Sequence, residues 1–226
     1  MLIVIPHVLN AQQVKECRRV LEQSSWEDGR ATAGYLAQQS KSNLQLPIEH
    51  PDARRLGDFV MRILSGNESF IAAALPLHIL PPRFNRYEGG GQYGNHVDNA
   101  IFTIPGTTQR LRTDVSTTLF LSEPDEYEGG ELIIEDVYGV QAVKLPAGHM
   151  VVYPGSSLHR VQPVTAGTRY ASFFWTQSLV RQTHQRRMLW ELDQSIQTLA
   201  RSGAPQDQLS RLTGIYHNLI REWSET

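Results

Sequence analysis

A histidine and an aspartate stand two positions apart in the segment GGGQYGNHVDNA, which spans residues 89–100. If residues 93–98 form a strand, His96 and Asp98 point to the same face, because strand side chains alternate with a period of two. An imidazole nitrogen and a carboxylate oxygen on one face suit a divalent transition metal. The pair therefore predicts part of a metal site, and a hydrogen-bonded surface pair is the alternative.

A metal site of this kind needs a third ligand from elsewhere in the chain. Iron(II) enzymes that activate oxygen commonly use two histidines and one carboxylate on one face of the metal, which leaves the other positions open. His159 has the most informative surroundings of the remaining histidines, because it follows a turn and precedes a strand-like segment. On its own it would more often be a structural histidine at a strand end. His149, in GHMVVY, is predicted to be structural, because a third histidine is not needed.

Arg169 follows His159 by ten residues, inside the next strand-like segment. A guanidinium group binds a carboxylate through two parallel hydrogen bonds. A molecule that chelates iron at one end and presents a carboxylate at the other would satisfy both groups, and 2-oxoglutarate has that shape. The spacing therefore favours such a cosubstrate, and the alternative is an ordinary arginine on a sheet surface.

The elements that must position these residues form a β-rich region between helical flanks. From residue 77 to residue 177, short segments rich in β-branched and aromatic residues are separated by Gly and Pro, which predicts an all-β sandwich or barrel. Turns are predicted at 135–139 and 146–148, and the aromatic residues 173–175 are predicted to pack in the core. The predicted strand segments are LHILPPRFNRY, STTLFLS, GELIIE, VQAVKL, GHMVVYP and RYASFFWT.

Helical spacing of apolar residues appears on both sides of this region. A first helix is predicted over residues 11–23, with Asn10 and Gln13 as a capping box. A second is predicted to start near Pro51 and to end before Gly66. Two amphipathic helices are predicted after Gln177, with a break at residues 203–205.

The polar stretch 26–47 lacks a regular period, which predicts irregular structure or short edge strands. We interpret this stretch as a lid that faces the substrate.

Composition restricts the class of protein. A chain of 226 residues can bury a core without disulfides or structural metals, so a bound metal would serve chemistry rather than folding. Cys17 is the only cysteine, which excludes an internal disulfide and a thiolate zinc site and favours a reducing, cytoplasmic setting. A formal charge of -2, with acids and bases interspersed, gives no broad basic face for nucleic acid. Pro6 ends a short apolar start, so neither a signal peptide nor a membrane span is expected.

Several motifs, in order along nearly the whole chain, resemble those of a known enzyme family. The chain is similar to the prolyl 4-hydroxylase-like branch of the Fe(II)/2-oxoglutarate dioxygenases and, within it, to bacterial PKHD-type hydroxylases associated with iron uptake. The motifs are WEDGRATAG at 26–34, NLQLP at 43–47, HVD at 96–98, EGGEL at 128–132, HRVQPVTAGTR at 159–169 and FFW at 173–175.

The resemblance implies an α+β fold with a mainly β core, a double-stranded β-helix of the jelly-roll or cupin-like type. N-terminal helices would pack on this core and a helical appendage would follow it. We therefore predict an N-terminal helical support over residues 1–76, a dioxygenase core over 77–177 and a C-terminal helical region over 178–226.

The resemblance also implies the roles of individual residues. His96, Asp98 and His159 would be the catalytic iron ligands, and Arg169 would bind the 2-oxoglutarate carboxylate. Prolyl hydroxylases of the collagen type usually have lysine at the position that corresponds to Arg169. Tyr87 matches a tyrosine that hydrogen-bonds the same cosubstrate in relatives, with core packing as the alternative. The implied cofactors are Fe(II), 2-oxoglutarate and, from the family alone, ascorbate.

The predicted reaction is hydroxylation of an unidentified substrate by O₂, with release of succinate and CO₂ and a link to iron uptake. The substrate would be a peptidyl residue or a small molecule such as a siderophore. Two alternatives stay open: a cupin-like metalloenzyme that does not use 2-oxoglutarate, and a non-catalytic sensor of iron or 2-oxoglutarate. Asn95 and Asn99 are predicted to orient the metal ligands. The C-terminal helices would either cover the barrel or form a homo-oligomer contact.

Overall fold

The structure is a computed structural model that describes residues 1–32, 39–136 and 139–225. The helices are α1 Ala11–Gln23, α2 Pro51–Leu64, α3 Glu68–Ala74, α4 Thr183–Arg201 and α5 Gln206–Trp223. Strands of the first half are β1 Ile3–Ile5, β2 Glu27–Asp28, β3 Lys41–Ser42, β4 Leu44–Gln45, β5 Pro76–Ile79, β6 Arg83–Glu88, β7 Gln92–His96, β8 Ile101–Thr103 and β9 Arg110–Arg112. Those of the second half are β10 Val115–Phe120, β11 Tyr127–Gly129, β12 Leu132–Asp136, β13 Gly139–Val143, β14 Met150–Pro154, β15 Leu158–Val161 and β16 Val164–Ser178.

Two antiparallel sheets form the centre of the molecule. The large sheet has the order β1-β14-β10-β16-β6-β4-β2, and β5 and β11 also pair with β16. The small sheet has the order β13-β12-β15-β7-β3. Apolar side chains from both sheets, such as Tyr153 from the large one and Leu132 from the small one, share one buried cluster. This sandwich confirms the predicted mainly β core of the jelly-roll type.

The large sheet is buried on both faces, as β14 illustrates. Met150 and Val152 belong to the cluster beneath the helices, whereas Val151 and Tyr153 belong to the cluster between the sheets. Because alternate side chains point to opposite faces, a strand buried on both sides reads as a continuous apolar run. This explains why the sequence MVVY lacks a polar alternation.

The N-terminal helices cover the outer face of the large sheet. Helix α1 begins with the predicted capping box, in which the Asn10 side chain accepts from the Gln13 amide at 2.9 Å and Gln13 accepts from the Asn10 amide at 2.8 Å. Its buried residues Cys17, Val20 and Leu21 recur at helical spacing and pack on the sheet. Helix α2 is also confirmed, whereas α3 was not predicted because its seven residues are too few to show a period.

The C-terminal helices form the predicted pair. Leu189 of α4 packs with Leu75 and Val180, and apolar residues of α5 contact this cluster. Across the residues that the structure describes, none of the helices combines the length and the apolar character needed to cross a membrane. A homo-oligomer contact through these helices stays a prediction.

The remaining predictions concern boundaries. The segment LHILPPRFNRY holds two strands rather than one, because the two consecutive prolines at 81 and 82 provide no backbone N–H for a sheet. The predicted hairpin after β12 is present, since Asp136 pairs with Gly139. The polar stretch 26–47 contributes the short strands β2, β3 and β4, and its residues 33–38 lie outside the described residues. The predicted division at 76 and 177 stays a prediction.

Candidate metal centre and cavity

Two neighbouring strands of the small sheet bring the predicted ligands together. His159 of β15 is directly opposite His96, the last residue of β7, and Asp98 follows β7 by two residues. The Asp98 Oδ1 atom lies 3.9 Å from His96 Nε2 and 3.8 Å from His159 Nε2. One ligand atom from each of the three residues fits within 4.8 Å, and each side chain is less than a tenth exposed. This donor set of two imidazoles and one carboxylate suits a divalent iron.

Backbone carbonyls set the tautomers of both imidazoles. His96 Nδ1 lies 2.8 Å from the Gly94 carbonyl, and His159 Nδ1 lies 3.0 Å from the Ser157 carbonyl. Because a carbonyl oxygen only accepts, each Nδ1 carries the hydrogen and donates it. Each Nε2 therefore keeps a lone pair, which points to the shared centre with Asp98.

Ser116 orients the carboxylate of Asp98, which together with His96 and His159 forms the candidate metal triad. Its hydroxyl, on β10 of the large sheet, donates to Asp98 Oδ2 at 2.6 Å. A carboxylate that accepts on one oxygen has a fixed orientation, so Asp98 Oδ1 stays directed at the two histidines.

Aromatic rings fix the planes of the imidazoles. Tyr93 stacks on His96 with ring centroids 3.6 Å apart, and Tyr153 meets His159 edge-on at 5.2 Å. Burial, and to a smaller extent the neighbouring His159, lowers the pKa of His96 to about 4. His96 is therefore neutral near pH 7, which is the form that binds a metal.

A buried arginine lies in the same cavity. Arg169 of β16 is 1% exposed and pairs in register with Tyr87 of β6. Its guanidinium carbon lies 5.4 Å from the Tyr87 ring centroid and 5.1 Å from that of Phe120. The Nε and Nη1 atoms of Arg169 have no hydrogen-bond partner among the described residues. Buried N–H groups of this kind are normally paired, so Arg169 offers two donors that no described residue uses.

Tyr87 lies beside this arginine and is itself fully buried. Burial raises its pKa to about 12, an effect that Arg169 and Asn43 partly oppose. The hydroxyl is therefore protonated at neutral pH and is able to donate a hydrogen bond. This arrangement is compatible with both sequence-based alternatives for Tyr87, a cosubstrate contact and core packing.

One cavity of about 580 Å³ joins the triad to Arg169. Its volume lies in the usual range for small-molecule sites. Both sheets supply its walls, with the histidines on one side and Arg169 and Tyr87 on the other.

Of the other residues singled out in the sequence, some line the cavity and others lie outside it. His149 contacts His7 with ring centroids 4.6 Å apart and lies outside the cavity. Asn95 and Asn99 line the cavity, but the Asn95 side chain accepts from Arg160 rather than contacting a histidine. Phe174 packs in the main core, as predicted for the aromatic run 173–175. Phe173 and Trp175, the other two residues of that run, pack in a separate small cluster with Phe102 and also line the cavity.

Sequence reasoning missed several residues of this cavity. Ser116 and Asn85 belong to predicted strands and carry no motif of their own. Lys41 and Arg83 are cations that line the cavity, and only period-two spacing from Tyr87 could have placed Arg83 and Asn85 on the same face as the tyrosine.

Comparisons with known proteins identify the family to which the chain is similar. The 2OG-Fe(II) oxygenase superfamily matches residues 82–177, and the C-terminal domain of PKHD-type hydroxylases matches residues 184–225. The chain is 59% identical to a PKHD-type hydroxylase of Parvibaculum lavamentivorans and 55% identical to the PKHD-type hydroxylase PiuC of Pseudomonas aeruginosa, each over 100% of both chains. A solved prolyl hydroxylase of Trichoplax adhaerens, in complex with a peptide fragment of hypoxia inducible factor, has a similar fold. Its TM-score is 0.55 at 16% identity, over 83% of this chain and 86% of that chain.

Proposed function

The chain belongs to the PKHD-type hydroxylase family of the 2OG-Fe(II) oxygenases, and from this membership we propose that it hydroxylates a C–H bond of its substrate and releases succinate and CO₂. The protein is a 2-oxoglutarate-dependent dioxygenase, so Fe(II), 2-oxoglutarate and O₂ take part in its reaction. The roles of its residues follow from the cavity.

We assign iron binding to His96, Asp98 and His159. The support for this assignment is the donor set itself, with two Nε2 lone pairs and one carboxylate oxygen directed at one point. A bound Fe(II) together with 2-oxoglutarate would supply the oxygen-activating chemistry that oxidises a C–H bond.

The observation that carries the proposal is the buried Arg169 guanidinium in the same cavity, with two N–H groups unpartnered among the described residues. A dicarboxylate that reaches from the triad to Arg169 would pair these groups and neutralise the buried cation. Tyr87 would donate its hydroxyl to the same carboxylate.

The other residues of the chain provide orientation and exclude water. Ser116 holds the carboxylate of Asp98, and Tyr93 and Tyr153 fix the planes of the histidines. Phe120 and Tyr87 enclose the guanidinium with apolar ring faces, which keeps water away from the charge.

The finer parts of the function rest on the family resemblance alone. They are a peptidyl or siderophore-like substrate, a link to iron uptake and a need for ascorbate. Incubation of a cell extract with the enzyme, iron, ascorbate and 2-oxoglutarate, followed by a search for products heavier by one oxygen, identifies the substrate.

Binding and turnover test the core of the proposal. We expect the Mn(II)-loaded protein to bind 2-oxoglutarate, and Arg169→Ala to lose this binding while it retains the metal. Metal binding without 2-oxoglutarate binding in the wild type would favour the cupin-like alternative, whereas retained 2-oxoglutarate binding in the variant would refute the role assigned to Arg169. With the identified substrate, one succinate should form per hydroxylated product, whereas a non-catalytic sensor would release succinate only at the slow uncoupled rate.

A further inference from the structure

A second cationic end of the cavity is separate from the one that contains Arg169. Arg83, Asn85 and Tyr87 alternate along β6 and all line the cavity. Arg83 lies four residues from Tyr87, which corresponds to about 13 Å along an extended strand. The cavity therefore has Arg169 and Tyr87 at one end and Arg83, in register with Phe173, at the other.

Arg83 has no carboxylate partner. Among the described residues its side chain makes neither an ion pair nor a hydrogen bond, and the residues outside that part of the chain include no Asp or Glu. Its guanidinium carbon lies 5.4 Å from the Phe102 ring centroid and 5.3 Å from that of Trp175. Burial lowers its pKa, so the charge is maintained at a cost that an anion would offset.

The net charge of the cavity also favours an anionic ligand. Among the described residues that line it, Asp98 is the only acid, and Lys41, Arg83 and Arg169 are the cations. A divalent iron and the dianion 2-oxoglutarate cancel each other, which leaves three cations against one carboxylate. Lys41 already donates to Gln45 at 3.2 Å, so Arg83 is the better anion receptor.

A polar group beside Arg83 provides an independent observation. Asn85 is 8% exposed, lines the cavity, and its Oδ1 atom has no hydrogen-bond partner among the described residues. A buried amide without a partner is costly, so this atom is arranged to accept from a bound molecule. Phe102, Phe173 and Trp175 provide apolar ring surface around Arg83 in the same cavity.

We propose that Arg83 determines substrate specificity by binding a carboxylate of the hydroxylated substrate. Asn85 accepts a hydrogen bond from an N–H or O–H group of the same substrate, and the aromatic cluster of Phe102, Phe173 and Trp175 packs on its carbon skeleton. This inference rests on the proposed function, because it assigns the Arg169 end to 2-oxoglutarate. The carboxylate belongs either to a small acid or to an acidic or C-terminal residue of a peptide.

The experiment uses the full-length protein loaded with Zn(II) and saturating 2-oxoglutarate, so that the Arg169 end is occupied. The probes are 4-phenylbutyrate, indole-3-propionate and hexanoate, each with its primary amide, together with the tripeptide Ala-Ala-Phe and its C-terminal amide. Saturation-transfer NMR measures binding, and relaxation by Mn(II) in place of Zn(II) shows that a bound probe lies in the cavity. We expect at least one acid or the free tripeptide to bind, and its amide to bind at least about tenfold more weakly. Preference for the small acids or for the tripeptide distinguishes the two sources of the carboxylate.

Variants separate a specific role from a general effect of charge. Arg83→Gln should weaken acid binding at least about tenfold. Arg110→Gln, which removes an exposed arginine outside the cavity, should leave acid binding unchanged. Arg83→Lys folds with the charge retained and should still bind acids more weakly than the wild type, because lysine lacks the planar fork.

The outcomes distinguish this inference from the proposed function. If the wild type binds 2-oxoglutarate but binds none of the acids, or binds acids and amides equally, the role of Arg83 is refuted and the dioxygenase assignment stands. The same holds if Arg83→Gln binds acids as the wild type does. If the wild type takes up no 2-oxoglutarate, the assignment of Arg169 fails first.

Discussion

Two arginines are fully buried among the described residues, and they offer a matched test of the role of Arg169. Arg169 and Arg186 are each 1% exposed. Arg186 donates four hydrogen bonds of 2.6 to 3.2 Å, three to backbone carbonyls and one to the Thr183 hydroxyl. In Arg169 both Nε and Nη1 lack a partner among the described residues, whereas in Arg186 only Nε does. The same substitution to methionine should therefore have opposite effects at the two positions.

The magnitudes follow from these contacts. Arg186→Met loses four hydrogen bonds at about 1 kcal/mol each, so the free energy of unfolding should fall by about 4 kcal/mol. In a chain of this length that corresponds to a melting temperature lower by about 8–16 °C. Arg169→Met removes a buried charge and loses ring contacts and a weak interaction with the Tyr127 hydroxyl, so the metal-free protein should be unchanged or about 2 kcal/mol more stable.

Binding of 2-oxoglutarate should show the reverse pattern. Loss of two charge-assisted hydrogen bonds, at about 1.5–3 kcal/mol each, should weaken 2-oxoglutarate binding to the Zn(II)-loaded Arg169→Met protein by about 10²–10⁴-fold. Arg186→Met should bind it as the wild type does below its melting temperature. Differential scanning calorimetry and isothermal titration calorimetry measure the two quantities. If Arg169→Met destabilises the protein as much as Arg186→Met, or keeps its affinity for 2-oxoglutarate, Arg169 is a structural residue and the reasoning is wrong.

Three further predictions concern Ser116, the glycine pair Gly167 and Gly214, and Cys17. Ser116→Ala should weaken Mn(II) binding by about 10–100-fold, because Asp98 loses the 2.6 Å hydrogen bond that orients it, and an unchanged titration would contradict this role. Gly167→Ala should destabilise the protein by about 2 kcal/mol or more in urea unfolding, because Gly167 has a φ of +71° and a Cβ there would lie 2.0 Å from a backbone carbonyl oxygen. Gly214→Ala in α5 has open space around it and should stabilise by about 1 kcal/mol, so equal effects at both glycines would refute the steric argument. Cys17 is 1% exposed with a pKa raised to about 11 by burial, so iodoacetamide at pH 8 should modify it only after unfolding, as followed by mass spectrometry.

Local chemistry made much of the fold predictable from the sequence. The capping box at Asn10 and Gln13 and the helical spacing that follows it predicted α1, because both depend on residues within a few positions of one another. The apolar strand segments predicted the β sandwich, because strand patterns also depend on residues within a few positions of one another. The short helix α3 and the division of residues 77–87 into two strands were missed, because few residues carry the signal there.

The candidate site was also predictable from the sequence only in part. Period two predicted that His96 and Asp98 share a face, and the two do lie together, although the strand ends at His96 rather than at Asp98. The order of motifs pointed to His159 and Arg169. The sequence did not reveal that Ser116 meets Asp98, because that contact joins the two sheets.

Sequence alone therefore determined which residue types this protein carries at which spacing, and from them the class of its chemistry. Tertiary structure decided which of those residues are neighbours. The grouping of Arg83 with Phe102 and Trp175 comes from three different strands, and alternation along a strand determines the face of a side chain but not the strand that lies opposite it. The position of the second cationic end of the cavity is for that reason a property of the folded chain.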